Sequence, residues 1–465
     1  MPILVVALVL IAALAVVVWT QTQTGQRQVA LIVTNGTIVT EDARGRVIEN
    51  GALAIDGPDI VAVDTSDAIG RQFRGRDTID ASGQVVLPGL INTHTHAPMV
   101  LFRGLADDLA LMEWLNKYIF PAEARTVSPE FVRAGTRLAA LEMIESGTTT
   151  YADMYYFEEE IAKETKAAGM RGVLGQTVIQ FPVADAKTPA DALTRAESFI
   201  QQFRGDPLIT PAVAPHAVYT NDPATLTASR ALSKKYGVPT LIHLVETHDE
   251  VVTTQLKYGL TPVLFLEKLG FLGPGVLAAH GVWLSPGEMI ALKEHGVGVS
   301  HNPESNMKLA SGIAPAPGYL EAGVALGLGT DGAASNNDLD MFEAMRTAAF
   351  LHKLESKDPR VMSAKQVLQM ATIGGARALG MEKQIGSLEP GKRADVIIVG
   401  MSAARQTPMY DPISHLVYVT RGDDVRTTVV NGRILMRDRR VLTLDEAAII
   451  KEARSWQEKV RAAVR

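Results

Sequence analysis

The chain has 465 residues, a mildly negative net charge of −6 and no cysteine. Its length suits a large barrel with an accessory domain, and no block of basic residues points to nucleic acid as a partner. Without cysteine, disulfides are excluded, and any metal must be held by nitrogen and oxygen ligands.

An uninterrupted apolar stretch occupies residues 3–19 and is about long enough to span a bilayer. It lacks a basic n-region, and its one A-x-A match, Ala13–Ala15, lies inside the apolar run, which argues against a cleaved signal peptide. We therefore expect residues 1–27 to be an uncleaved membrane anchor with a polar linker. The alternatives are a cleaved signal on an exported protein, a start-site artefact, or a buried helix in a cytoplasmic protein.

Short alternating segments follow the linker, namely ALIVTNGTIVT, GALAIDGPDIVAVD and DTIDASGQVVLPGL, and turn dipeptides punctuate them. The same pattern returns near the C-terminus in ADVIIVG and VRTTVVNGRILMRD. Asn35-Gly36 and Asn431-Gly432 predict hairpins in similar contexts. We expect one composite β-sandwich from residues 28–87 and 388–445, with two independent β caps as the alternative.

Residues 88–387 alternate apolar strands with amphipathic helices, and the pattern gives eight strand-then-helix units. Near-continuous apolar strands are typical of a parallel sheet that is covered on both faces. The sequence therefore predicts an α/β fold with a (β/α)8 TIM-type barrel, whose active site lies at the carboxyl ends of the strands. A C-terminal helix is expected over residues 446–465.

Polar side chains stand at the ends of these predicted strands, and six of the ten histidines of the chain are among them. His94 and His96 are two residues apart, so both rings face the same way from a strand. The full set is His94, His96, Asp153, His216, His243 with Glu246, His280, His301 and Asp331. Each also has a plainer interpretation as a strand-end or core residue, and for Asp153 and His301 the two interpretations are balanced.

Three imidazoles and one carboxylate suit zinc, with iron as the alternative, at a site that keeps one position open for water. Two-metal barrels of this type need a bridging ligand, commonly a modified lysine on the fourth strand. The fourth strand, LITPAVAPHAV, contains no lysine. We therefore expect one divalent metal per chain.

The motifs PGLINTHTH, HLVET, LAAHGV, SHNPESNMKLASGIAPAP and GTDGAASNNDLDMF together resemble the amidohydrolase superfamily. GSLEPGKRADVIIV is similar to the return of that superfamily into its β domain. Within it, RGLADDLALMEWLNKYIFPAEA and YADMYYFEEEIAKETKAAGMRGVLG look most like the 5-methylthioadenosine/S-adenosylhomocysteine deaminases and their triazine-hydrolase relatives.

The resemblance implies a metal-dependent deaminase that releases ammonia from an adenine nucleoside such as 5′-methylthioadenosine, 5′-deoxyadenosine, adenosine or S-adenosylhomocysteine. It implies that the metal ligands are His94, His96, His243 and Asp331. It also implies that Glu246 shuttles protons, His280 orients the attacking hydroxide and Asp331 takes its proton. Substrate contacts would come from Glu246 and Asp331 and from Glu123 at the ribose hydroxyls, His216 at the purine and Arg171 near the 5′ substituent.

The loop VIQFPVADAKTPADAL departs from this pattern, because it holds no arginine before Arg195 to pair with an amino-acid carboxylate. Turnover of S-adenosylhomocysteine is accordingly in doubt. The alternatives are a triazine or guanine-type hydrolase on the same scaffold, and a non-catalytic scaffold protein. Glu123 discriminates against the first, since a ring without ribose has no use for it. We also expect the chain to act on a small-molecule substrate and to form a homo-oligomer.

Overall fold

The computed structural model describes residues 25–464. The chain enters through five strands, which contain runs of consecutive buried residues such as 51–55 and 85–88. They are β1 (Arg27–Val39), β2 (Val47–Asp56), β3 (Asp59–Thr65), β4 (Phe73–Asp80) and β5 (Gln84–Pro88), with helix α1 (Ser66–Gln72) between β3 and β4.

Eight parallel strands then close into a barrel, as the repeated strand-then-helix pattern predicted. They are β6 (Leu90–Thr95), β7 (Thr148–Tyr155), β8 (Arg171–Val178), β9 (Ile209–Pro215), β10 (Thr240–Leu244), β11 (Val276–His280), β12 (Gly298–His301) and β13 (Ala325–Leu328). Leu328 pairs with Asn92 and closes the ring between the last strand and the first.

Helices cover the outside of the barrel and its mouth. In chain order they are α2 (Leu111–Trp114), α3 (Phe120–Thr126), α4 (Pro129–Glu145), α5 (Glu158–Ala168), α6 (Pro189–Phe203), α7 (Pro223–Tyr236), α8 (His248–Tyr258), α9 (Pro262–Lys268), α10 (Pro286–Glu294), α11 (Pro303–Lys308), α12 (Ala316–Ala322), α13 (Met341–Ser356), α14 (Ala364–Met370) and α15 (Ile373–Ala378). A 3-10 helix (Ala97–Phe102) follows β6, and a π turn (Leu115–Ile119) joins α2 to α3.

The chain returns to the first sheet after the barrel. The returning elements are β14 (Val396–Gly400), α16 (Pro412–Tyr418), β15 (Val425–Val430), β16 (Arg433–Arg437), β17 (Arg440–Val441) and α17 (Glu446–Val464). All nine strands outside the barrel join in one mixed sheet, because β14 pairs antiparallel with β5. Strands from both ends of the chain therefore build one unit, and independent caps are excluded.

The two Asn-Gly dipeptides have different roles, which corrects one prediction. Asn431-Gly432 forms the two-residue turn between β15 and β16, and both residues have positive φ, as such a turn requires. Asn35-Gly36 instead lies inside β1, where the pairing with β2 shifts register at a bulge. A Cβ on Gly36 would lie 2.7 Å from Val86 Cγ2, so only glycine fits there.

The predicted membrane location is corrected by the structure. Across residues 25–464, every helix is too short or too polar to cross a bilayer. The apolar stretch of residues 3–19, on which that prediction was based, lies outside the described residues. A transmembrane helix is therefore not part of the molecule that the structure describes.

The C-terminal helix α17 packs beside the first barrel helices. Trp456 meets Phe131 of α4 edge-on, with ring centroids 5.3 Å apart. Arg137 of α4 donates to Glu452 at 2.7 Å, and Arg125 of α3 donates to the backbone oxygen of Ala463. The last helix of the chain thus braces α3, which forms one wall of the site described next.

Candidate active site

Five side chains meet at the barrel mouth, and we call them the histidine cluster: His94, His96, His243, His280 and Asp331. They come from the ends of β6, β10 and β11 and from the turn after β13. His94 Nε2 and His96 Nε2 each lie 3.4 Å from Asp331 Oδ1, and His243 Nε2 lies 3.3 Å from His96 Nε2. Five of the predicted strand-end residues are thus brought together at one point.

Hydrogen bonds to the far side of each ring fix how the cluster points. His96 Nδ1 bonds to the Met154 carbonyl oxygen at 2.7 Å, and His243 Nδ1 bonds to the His216 carbonyl oxygen at 2.8 Å. A ring nitrogen facing a carbonyl must carry the proton, so the Nε2 atoms are left as lone-pair donors that face inward. This is the tautomer that a metal ligand requires.

The donor set fits a divalent metal. His94 Nε2 is buried and has no hydrogen-bond partner among the described residues. Two overlapping groups, His94–His243–His280 and His94–His96–Asp331, keep their ligand atoms within 4.8 Å of one another. Imidazole nitrogens with one carboxylate oxygen are a zinc-type donor set, and an unpartnered buried nitrogen among them is explained by an ion.

Backbone strain is concentrated at the same place. His280 and Asp331 have φ values of 74° and 65°, in the left-handed region that residues other than glycine rarely occupy. Such a conformation costs about 1–3 kcal/mol and persists where the surroundings enforce it. Here Asn306 Oδ1 bonds to His280 Nδ1 at 2.9 Å, and Ser305 Oγ donates to Asp331 Oδ2 at 2.7 Å.

His94 and Asp331 have opposite shifts that leave the imidazole neutral and the carboxyl ionised. Burial lowers the pKa of His94 to about 4, so this ring is neutral near pH 7. Burial opposes ionisation of Asp331, but the close contact with His94 and the neighbouring imidazoles outweigh it and hold the pKa of that carboxyl well below its usual range. Neutral imidazoles around an ionised carboxylate are the state in which such groups bind a metal.

Glu246 lies beside the cluster, two residues beyond the end of β10. Its Oε2 is 3.8 Å from His280 Nε2, and the residue is buried. Burial raises the pKa of this carboxyl. Glu250, in the first turn of α8, accepts from the Glu246 backbone N–H at 3.3 Å, and burial with the charge of Glu246 raises the pKa of Glu250 to about 8.

A cavity of about 590 Å³ opens above the cluster and is walled by the 3-10 helix, α2, the π turn and α3. Glu123 of α3 lies in its lining and is 7% exposed. Tyr155 OH donates to Glu123 Oε1 at 2.7 Å, and burial raises the pKa of Glu123 to about 7 despite that bond. Glu123 and Glu246 therefore line the same cavity, as expected for two groups that contact one ligand.

His216 also lines the cavity, one residue beyond β9. Its Nδ1 lies 3.1 Å from Thr220 Oγ1, and its ring centroid lies 4.7 Å from that of His243. Burial lowers the pKa of His216 to about 3, which makes this ring a neutral hydrogen-bonding group.

Arg171 is not in this cavity, and its predicted contact with the substrate is corrected. It is the first residue of β8, at the amino end of the barrel strand, whereas the cluster lies at the carboxyl ends. Arg171 Nε donates to Asp395 Oδ2 at 2.9 Å, and Arg171 Nη1 donates to the Pro207 carbonyl oxygen at 2.8 Å. This buried ion pair connects the barrel to the returning sheet.

Other predicted residues have supporting positions. Asp153 Oδ2 accepts from the backbone N–H of Ala97, directly after His96, which ties β7 to the turn that carries the cluster. His301 lies 2.9 Å from His352, Nε2 to Nε2, so it bonds to α13 and not to the cluster. His248 contacts the Trp283 ring and His295 bonds to Glu267, both away from the barrel strands.

Sequence reasoning missed the residues that orient the predicted ones. Tyr155 holds Glu123, while Asn306 and Ser305 hold His280 and Asp331. Asn306 and Ser305 stand in the first turns after the end of β12, in the SHNPESN motif. Their position after a strand end was the available signal, because that face of a barrel is where functional side chains meet.

Comparison with known proteins agrees with this geometry. The amidohydrolase family model matches residues 85–435. A 5-methylthioadenosine/S-adenosylhomocysteine deaminase of Syntrophobacter fumaroxidans is 49% identical over 430 residues, which are 92% of this chain and 98% of the relative. A 5′-deoxyadenosine deaminase of Methanosarcina mazei is 46% identical over 437 residues, covering 93% and 99% of the two chains.

Among solved structures, an adenosine deaminase from Xanthomonas campestris with bound zinc superposes with a TM-score of 0.93 and is 39% identical. That match covers 94% of this chain and 100% of the Xanthomonas chain. The prediction of family from the strand-end motifs is confirmed. The chain belongs to the amidohydrolase family.

Proposed function

We propose that this chain is a metal-dependent hydrolytic deaminase of adenine nucleosides. The observation that carries the proposal is that the histidine cluster, a buried Glu246 and a buried Glu123 all face one cavity. The first can hold a metal, the second can move protons and the third can bind a sugar diol. The names of the relatives in Syntrophobacter and Methanosarcina support the same substrate class.

The metal in this proposal is one divalent ion, with zinc favoured over iron. His94, His96, His243 and Asp331 would hold it, because these four supply the inward-facing atoms described above. When bound, such an ion lowers the pKa of water toward neutrality and so makes hydroxide available. The bound zinc of the Xanthomonas structure supports this choice.

The reaction replaces the exocyclic amine at C6 of adenine with oxygen from water and releases ammonia. A C–O bond forms at C6 and N1 gains a proton as C6 becomes tetrahedral. The amine nitrogen then takes up a second proton, so that both protons of the attacking water are used, and the C6–N bond breaks to release ammonia. Glu246 is the group suited to carry protons in this sequence, because it is buried beside His280 and burial raises its pKa, which favours the protonated form that can give a proton to N1.

Asp331 and His280 complete the proton path. Asp331 is ionised and accepts a proton from the attacking water, since its Oδ2 faces the same space as His280 Nε2 at 3.9 Å. His280 is fixed through Nδ1 by Asn306, so its Nε2 can hold the nucleophile in place between Glu246 and Asp331.

Glu123 distinguishes a nucleoside from a free ring. One oxygen of its carboxyl accepts from Tyr155, which leaves the other oxygen free to accept hydrogen bonds from the ribose 2′ and 3′ hydroxyls. A triazine or a free guanine offers no such donors, and the buried carboxyl would remain unpaired. This observation favours the nucleoside over the ring hydrolase alternative.

The test is ammonia release from purified protein with adenosine, 5′-deoxyadenosine, 5′-methylthioadenosine, free adenine, guanine and a chlorotriazine. The proposal requires turnover of the nucleosides, with free adenine far slower. Sites built to bond a hydroxyl reject analogues that lack it by roughly 10⁴-fold or more. Equal rates on adenine and its nucleosides, or activity confined to the triazine or guanine, would overturn it.

A further inference from the structure

A second cavity adjoins the active-site cavity at its Glu123 end. The two share Phe120, Glu123 and Tyr156, and the second encloses about 720 Å³, including its open mouth. We call it the side groove; beyond the shared residues it is formed by Ala124 and residues 181–184. A ligand whose ribose is held at Glu123 therefore has a passage from the sugar to the surface.

The walls of the side groove are apolar. Phe120 and Phe181 meet edge-on, with ring centroids 5.5 Å apart, and Pro182 and Val183 continue the wall. Phe181 is 38% exposed although it is a large aromatic residue. An aromatic ring at a cavity mouth gains most from a ligand that covers it with apolar surface.

The loop that carries this wall is held in place by several bonds. Asp185 Oδ2 accepts from the Phe157 backbone N–H and from Gln176 Nε2, both at 2.8 Å. The Val183 N–H donates to the Ala186 carbonyl oxygen at 2.9 Å. The side groove is thus a preformed surface, which reduces the ordering cost of binding a ligand there.

Within the described residues 25–464, no lysine, arginine or histidine lines the side groove, and its only carboxylate is that of Glu123. Arg195, on α6 beyond the loop, is engaged elsewhere. It donates to Glu159 at 2.6 Å, lies 3.4 Å from Asp185 and stacks over the Phe157 ring at 5.3 Å. An anionic group that enters the groove would lie near an acidic side chain and would find no cationic side chain to pair with. Its binding there is therefore unfavourable.

We infer that the side groove receives the 5′ substituent of the nucleoside and selects an uncharged, apolar one. This inference rests on the proposed function, and it adds the chemical class of the 5′ group. A hydrogen or a thioether carbon fits the apolar wall, whereas a carboxylate or phosphate at the 5′ end has no partner there. Phe120, Phe181 and Val183 are the specificity-determining residues.

The experiment compares kcat/KM for ammonia release along a series that differs only at the 5′ position. The series is 5′-methylthioadenosine, 5′-deoxyadenosine, adenosine, S-adenosylhomocysteine and adenosine 5′-monophosphate. We expect the methylthio compound to exceed adenosine by about tenfold or more, as an added apolar group in a hydrophobic pocket does. We expect the two charged compounds to be slower than adenosine.

A gain-of-function variant makes the test independent of that ranking. Ala184 lines the side groove and is exposed, so Ala184→Arg places a cation there without filling the core. It should raise kcat/KM for the phosphate relative to the methylthio compound by at least tenfold. Ala228→Arg, on the exposed face of α7, adds the same charge elsewhere and should leave the ratio unchanged.

Comparable rates along the whole series, or faster turnover of the charged compounds by the unmodified enzyme, would overturn the inference while the proposed function stands. An Ala184→Arg enzyme with the same ratio as Ala228→Arg would overturn it as well. If no nucleoside in the series releases ammonia, the proposed function fails, and the inference fails with it.

Discussion

Replacing Tyr155 with phenylalanine removes one hydrogen-bond donor from Glu123 and nothing else from the cavity wall. The bond from Tyr155 OH to Glu123 Oε1 is 2.7 Å long, and both residues are buried. A hydrogen bond to a charged group contributes about 1.5–3 kcal/mol. If the bond fixes Glu123 for the ribose diol, its loss should lower kcat/KM for a nucleoside roughly 10- to 150-fold, at 1.4 kcal/mol per factor of ten.

The assay compares adenosine with its 2′,3′-dideoxy analogue in the wild-type and variant enzymes. The dideoxy compound makes no use of Glu123, so Tyr155→Phe should reduce the preference for adenosine and scarcely change the rate on the analogue. Tyr151→Phe is the matched control, because Tyr151 lies on the same strand and its hydroxyl bonds instead to Thr165. An equal loss on both substrates would refute the positioning role.

The pH dependence gives a second readout of the same bond. Burial raises the pKa of Glu123 to about 7, and the bond from Tyr155 opposes that rise. Protonation turns one oxygen of the Glu123 carboxyl into a donor and weakens the group as an acceptor. The preference for adenosine over its dideoxy analogue should therefore weaken as the pH falls through about 7. Without the Tyr155 donor the pKa is higher, and the same weakening should begin at a higher pH in the variant.

Three further predictions concern the metal, the proton carrier and the buried ion pair. Dialysis against a chelator should abolish ammonia release, and one equivalent of zinc per chain should restore it; a reproducible need for two would refute the single-metal proposal. Glu246→Gln should keep metal content and thermal stability but lose ~10²–10⁴-fold in kcat; near-normal turnover would remove Glu246 from the proton path. Arg171→Met should lower the free energy of unfolding by about 3–5 kcal/mol, because it leaves the Asp395 carboxylate buried without its cation, with only the Asn431 backbone N–H, among the described residues, still donating to it. Its folded fraction should keep normal kcat/KM for all substrates, and a selective loss on 5′-charged nucleosides would contradict the assignment made above.

The barrel and the histidine cluster could be predicted because the repeated strand-then-helix pattern is clear in this sequence and the histidines stand at the ends of its strands. Each cluster histidine follows a short apolar run, and parallel strands in a barrel bring such positions to one face. His94 and His96 also have the two-residue spacing that aims side chains together from a strand. No long-range information beyond the topology was needed to place them in one site.

Arg171 shows where this reasoning fails. The resemblance to the family implies a substrate contact for Arg171, but a resemblance in sequence does not tell which end of a strand the residue occupies. Helix α5 ends at Ala168, its C-cap Gly169 has a left-handed conformation, and the strand begins two residues after this glycine. Arg171 therefore starts a strand, at the face of the barrel that serves stability and not chemistry. The local helix-stop signal was present and sufficient to exclude it.

Tyr155 and the side groove could not be found from the sequence, for a different reason. Tyr155 is the last residue of a buried strand and Tyr156 follows it, and nothing in the sequence tells which of the two hydroxyls reaches α3. Phe120 begins helix α3, after β6, and Phe181 lies in the loop after β8, so their contact depends on how these two segments fold over the mouth of the barrel. Such contacts are set by tertiary packing, which pattern alone does not encode.

The pairing of β5 with β14 has a consequence for biogenesis. During synthesis the first five strands emerge early, but the edge of β5 remains open until residues 396–400 leave the ribosome. An unpaired strand edge with a buried apolar face is a site for aggregation, and long-range pairing is slow to form. The charge of Arg171 is likewise unpaired until Asp395 has been synthesised. We expect chains truncated before β14 to be captured by chaperones or to aggregate even with all eight barrel strands present, so that the last seventy residues decide whether the catalytic part survives.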